Sequence, residues 1–177
     1  MASRELKCPG DLFDAIAEVL EDRLAEGVEV ATYEKFSGSL NGDSLILIEF
    51  ESSSPAVRGH DGRYCHEYLL TLHGLVSAAR DRAEVEAVNL SAALERVVDC
   101  NRWGFAGRDV YAPDNIRSAP SMFKKGESGY EAWGTSFTQK IFLGKSLLPD
   151  DPVVKEVWLS SDPAADESGY EKVSESE

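Results

Sequence analysis

The chain has 177 residues and a mass of 19.4 kDa, with 32 acidic against 18 basic side chains, a formal charge of −14 and a pI near 4.6. Hydrophobic residues at 42% and aromatics at 9% exclude a disordered composition, and the negative charge argues against capture of nucleic acid, which depends on Lys and Arg displacing counterions. No apolar run reaches the ~18 residues of a membrane span, and Met1-Ala2-Ser3-Arg4-Glu5 lacks a signal-peptide core, so a soluble, acidic, single-domain protein is expected.

The first helix is expected to open at Pro9-Gly10 with Asp11 as N-cap. Leu12, Phe13, Ile16, Val19, Leu20 and Leu24 share one face, Glu18, Glu21 and Asp22 the other, and Gly27 supplies a left-handed stop. Val28 to Tyr33 alternates as a strand. After the turn Asn41-Gly42-Asp43, the run Ser44 to Phe50 suits a central strand with neighbours on both sides. Arg63 to Val76 is a long strand with Tyr64, His66, Tyr68, Leu70 and Leu72 on one face. Between these two strands, Ser52 to Gly62 reads as a long polar hairpin tip, either mobile or used for contacts.

A second helix is expected from about Asp81 to Asn101, with Ala83, Ala87, Leu90, Leu94, Val97 and Val98 in one stripe and Gly104 available at its end. An edge strand around Ile116 to Phe123 tolerates Pro120. The last strong strand, Tyr130 to Leu143, places Trp133, Phe137, Ile141 and Leu143 on one face and stops at Gly144. The order α-β-β-β-α-β-β predicts an α+β fold: an antiparallel or mixed sheet of four to five strands with two helices packed on one face. Residues 1–144 form that domain, and residues 145–177 form an acidic, partly disordered arm with −6 of the charge, leaving −8 on the domain. Within the arm Val153, Val154, Val157, Trp158 and Leu159 make a small apolar island, where Trp158 either folds back or anchors a neighbouring subunit.

Chemistry is sparse. Cys8, Cys65 and Cys100 are an odd, widely spaced set that fits a reducing compartment, with Cys65 and Cys100 read as small buried hydrophobes. His60, His66 and His73 invite a metal reading with Asp61 or Cys65, but His66 and His73 differ by an odd number and face opposite ways on a strand. No serine sits in a G-x-S-x-G elbow, and neither phosphate-binding glycine motif occurs. No catalytic, metal or cofactor site is expected.

The run Asn89-Leu90-Ser91-Ala92-Ala93-Leu94 closing in Asn101-Arg102-Trp103-Gly104-Phe105 resembles a helix of small proteins of long-tailed, Mu-like and lambda-like bacteriophages. The strand Trp133-Gly134-Thr135-Ser136-Phe137-Thr138-Gln139-Lys140-Ile141-Phe142-Leu143-Gly144 does likewise. With the leading helix and the Ser44–Glu51 strand in matching order, Leu12 to Gly144 is similar to the tail terminators, or tail-completion proteins. That resemblance implies a structural virion protein, not an enzyme and without cofactors. It would be assembled in the host cytoplasm and sit in the neck at the top of the tail.

The resemblance further implies a homo-hexameric ring that ends tail-tube polymerisation, seated on the tail tube protein and docking the head-tail connector proteins. Hairpin tips and chain ends engage neighbours in such a ring, which makes Arg58, His60, Val153, Val157 and Trp158 the expected interface residues. An acidic lumen would let DNA pass without specific binding. The other readings are another neck protein (a connector or stopper), a small enzyme using His60, Asp61 and His66, or a host-factor-binding protein.

Overall fold

The computed structural model describes residues 4–24, 28–33, 44–121, 129–148, 158–160 and 170–172. They divide between two compact units, Met1–Leu147 and Leu148–Glu177.

The first unit is an α+β layer structure. Helix α1 spans Pro9–Arg23, strand β1 Val28–Thr32, β2 Ser44–Ala56 and β3 Tyr64–Ser77. Helix α2 (Ala83–Val98), β4 (Asp114–Pro120) and β5 (Tyr130–Leu143) complete it. The five strands lie in the order β1-β2-β3-β5-β4. β1 runs parallel to β2 and every other pair is antiparallel, so the sheet is mixed.

Side-chain alternation decides which face the helices cover. Ile46 and Ile48 of β2, Leu70 and Leu72 of β3, and Phe137 and Ile141 of β5 share one face. They join Leu12, Ala15, Ile16 and Leu20 of α1 and Leu94, Val97 and Val98 of α2 in a single core cluster. Both helices therefore pack on the same side of the sheet. Gly74 of β3 lets α2 sit close, because a Cβ there would lie 2.8 Å from Leu90 Cδ2.

Several boundaries differ from the sequence expectation for local reasons. The N-cap of α1 is Cys8, and Asp11 sits at N3. Its carboxylate reaches back to accept the Cys8 and Lys7 backbone N–H groups at 2.8 and 2.7 Å, a task open to an acidic residue at N3 as well as at the cap itself. The helix stops at Arg23 with Leu24 extended, and Gly27, the expected stop, lies outside the described residues. Helix α2 is shorter than the expected span of Asp81 to Asn101 and matches its apolar stripe, ending at Val98, where Asn101 Nδ2 donates to the Val97 carbonyl at 2.9 Å and so satisfies one terminal acceptor. Cys100 then adopts φ 55° and is exposed, not buried. Cys65 is buried.

The largest difference is in β2. A bulge between Phe50 and Ser52 skips Glu51, and Ser52 to Ala56 then pair with Leu69 to Cys65. Half of the expected polar loop is thus strand. Serine and proline are poor strand formers, but the strong β3 template supplies the ladder partners, and context outweighs propensity. Pro55 is tolerated because it is an exposed position beyond the reach of β1, whose pairing stops at Ile48.

In the second unit, Trp158–Leu159 (β6) pairs antiparallel with Glu171–Lys172 (β7). No helix among the described residues is long and apolar enough to cross a membrane.

Candidate interaction site

Past the end of the β1 pairing at Ile48, Ser52, Ser53, Ser54 and Pro55 of the β2–β3 hairpin are all exposed, so side chains of both faces of this arm are in solvent. Its turn is held by Gly62 N–H donating to the Gly59 carbonyl at 2.9 Å and Gly59 N–H donating to Arg63 O at 3.1 Å. Gly62 has φ +80°, and a Cβ on it would meet the Leu147 side chain at 3.0 to 3.3 Å, so both conformation and space require glycine there.

Arg63 clamps the base of this turn. Its guanidinium donates to Asp61 Oδ2 at 2.5 Å and Asp109 Oδ1 at 2.8 Å, and to the carbonyls of Phe142 at 3.3 Å and Arg108 at 2.6 Å. It lies 6.0 Å from the centre of the Phe142 ring, and only 10% of the side chain is exposed. Four bonds to four groups satisfy a charge that would otherwise be costly to bury. Partial burial pushes the Asp61 carboxyl up, and hydrogen bonds from the Arg63 backbone and guanidinium outweigh it, leaving that carboxyl below its usual range.

Of the residues expected at an interface, Arg58 and His60 are both exposed at this tip. Arg58 donates to the Gly62 carbonyl at 3.1 Å and stands 5.6 Å over the Tyr64 ring, a cation–π geometry. A row continues from it along the helix-side face of the hairpin. Tyr64 and His66 have ring centres 4.6 Å apart, His66 and Tyr68 6.1 Å, and Tyr68 and Phe50 5.4 Å. Trp158 is half exposed in β6. Val153 and Val157 lie outside the described residues.

His60, Asp61 and His66 do not converge on a reacting centre. Asp61 is committed to Arg63, His66 lies between two tyrosine rings, and His60 is at the exposed tip. Among the described residues no three His, Cys, Asp or Glu side chains gather to hold a metal ion.

The opposite face of the sheet carries a polar line that residue-by-residue reading missed. His73 of β3 shares its Nε2 with Glu49 Oε2 at 2.8 Å and its Nδ1 with Ser121 Oγ at 3.0 Å. Beside it Thr71 Oγ1 bonds Glu51 Oε1 and lies 2.6 Å from Ser136 Oγ. Tyr33 stands against the His73 ring, centres 5.2 Å apart. Gly134 opens the room beneath, since a Cβ there would fall 2.7 Å from Ser121 Oγ.

The acid–imidazole–hydroxyl order is that of a nucleophile relay. The Ser121 backbone N–H donates to the Ala132 carbonyl at 2.9 Å, which holds this residue against β5. The line reads as a tie joining β2, β3 and the end of β4. Strand parity alone places Thr71 and His73 on the face opposite Leu70 and Leu72, but bringing Glu49 and Ser121 to them takes the pairing register.

No protein-family model matches this chain, and no curated protein is significantly similar to it.

Proposed function

We propose that the protein is a structural subunit that assembles into a homo-hexameric ring and acts as the tail terminator of a long-tailed bacteriophage. In this role it ends tail-tube polymerisation and offers a docking surface to the head connector in the virion neck. The observation that carries the reading is the β2–β3 hairpin, whose β2 arm is exposed from Ser52 to Pro55 and whose turn is fixed by the buried Arg63. A turn held in place in this way lowers the ordering cost of binding a neighbouring subunit. The resemblance of Leu12 to Gly144 to tail terminators, the two-helix α+β sheet and the charge of −14 all agree with it. An anionic ring lumen would repel DNA phosphates and let the genome slide.

Light scattering on concentrated or tail-bound protein tests the assembly. The reading requires hexamers, and a strict monomer in assembled tails would overturn it. A neck connector or stopper is the second reading, favoured by the same hairpin. Particles lacking a stopper would carry unattached tails of normal length, whereas particles lacking a terminator would carry tails of uncontrolled length.

A further inference from the structure

On the helix-side face of the hairpin, every prominent side chain from Arg58 to Tyr68 is aromatic or a hydrogen-bond donor. Arg58 brings a guanidinium, Tyr64 and Tyr68 bring hydroxyls, and His66 brings a ring nitrogen. Their partners across the ladder on the same face, Ser53, Pro55 and Leu143, carry no charge. In a chain of −14 this is a strip without a carboxylate. Asp61, the acid within the turn, is turned toward Arg63, which it shares with Asp109.

The same molecule presents the complementary surface on α1. Asp14, Glu18, Glu21 and Asp22 fall at helical spacing on its outward side and all are exposed. Arg4 engages Glu18 at 2.8 Å, while Asp14, Glu21 and Asp22 form no ion pair among the described residues.

The two rows also match in length. The four residue steps of strand from Tyr64 to Tyr68 cover about 13 Å, and the eight steps of helix from Asp14 to Asp22 cover about 12 Å. The rows lie on different elements, so contact between copies through them is heterologous and repeats from one subunit to the next, as a ring demands.

We propose that the Arg58–Tyr64–His66–Tyr68 strip of one subunit docks on the acidic outer row of α1, Asp14, Glu21 and Asp22, of a second copy. Arg58 pairs with a carboxylate at one end, the tyrosine hydroxyls and His66 donate to the others, and the rings cover the helix surface between them. Aromatic and arginine side chains are the residue types that dominate binding energy at protein interfaces. This contact rests on the ring reading only in requiring that copies of the chain associate.

Sedimentation velocity on the full chain tests it, with a charge-swap in trans. Arg58→Glu should weaken self-association by about tenfold or more, as should the triple change Asp14→Lys, Glu21→Lys, Asp22→Lys. Mixing the two variants should restore assembly, because each then meets a partner of opposite sign. In parallel, photoreactive p-benzoylphenylalanine in place of Tyr64 in the otherwise unchanged chain should cross-link to residues of α1 in another copy, a readout that survives if a charge variant misfolds. Assembly unchanged by both variants, or cross-links confined to other elements, would overturn the proposed contact while leaving a ring possible by another surface. A dimer or open chain joined through this strip would uphold the contact and refute the closed ring. A wild-type chain that stays monomeric at every concentration and salt would overturn both.

Discussion

The guanidinium of Arg63 reaches Asp109 Oδ1 at 2.8 Å, joining the turn of the hairpin to a loop 46 positions further along the chain. The pair is only 10% and 16% exposed, so it is little screened by solvent. Arg63→Ala would leave Asp109 and the Phe142 and Arg108 carbonyls without this donor. A loss of about 3 kcal/mol in unfolding free energy is expected. Urea denaturation measures it, and a change below about 1 kcal/mol would show that the clamp is ornamental.

Trp103 and Gln139 are both fully buried, and the indole Nε1 donates to Gln139 Oε1 at 2.9 Å. The Gln139 amide nitrogen in turn donates to the Tyr111 carbonyl. Gln139→Leu keeps the volume and orphans both partners, so a cost of about 2–4 kcal/mol is expected. Thermal unfolding of the variant should show a clear fall in Tm. An unchanged Tm would mean that another group or water takes over both bonds.

Gly134→Ala addresses the polar face. The added Cβ would meet Ser121 Oγ at 2.7 Å and Thr71 Cγ2 at 3.0 Å, so Ser121 must turn away from His73. The expected loss is about 1–2 kcal/mol. Because the alanine acts through Ser121, the double variant with Ser121→Ala should cost less than the two single losses added together. Additive losses would show that the two residues are uncoupled.

Acid sensitivity has one assignable source at the start of α1. The backbone N–H groups of Cys8 and then Lys7 hold the Asp11 carboxyl below its usual range. A carboxylate whose pKa is lowered on folding contributes stability above its unfolded value. That contribution is lost as pH falls below about 4 and through the folded value. Asp11→Asn should therefore lower Tm at pH 7 and converge with the wild type in acid. Parallel Tm curves across that range would contradict the assignment.

Much of this architecture is legible in the residues. Helical periodicity marks the buried faces of α1 and α2 because each packs a single stripe on the sheet. Alternation marks β3 and β5 for the corresponding reason, down to the opposite orientation of His66 and His73. What stays hidden is whatever depends on pairing. The extension of β2 through Ala56 requires a bulge at Glu51, which no local pattern announces. The Glu49–His73–Ser121 line draws on two strands and the residue following a third, and the Arg63 clamp gathers groups from Asp61 to Phe142. Both are products of register and of long-range closure.

The proposed role of this protein is to end tail-tube growth. Electron micrographs of particles assembled in its absence test that most directly. Headless tails of uncontrolled length are expected, brought back to a uniform length when the protein is restored. Tails of normal, uniform length in its absence would contradict it.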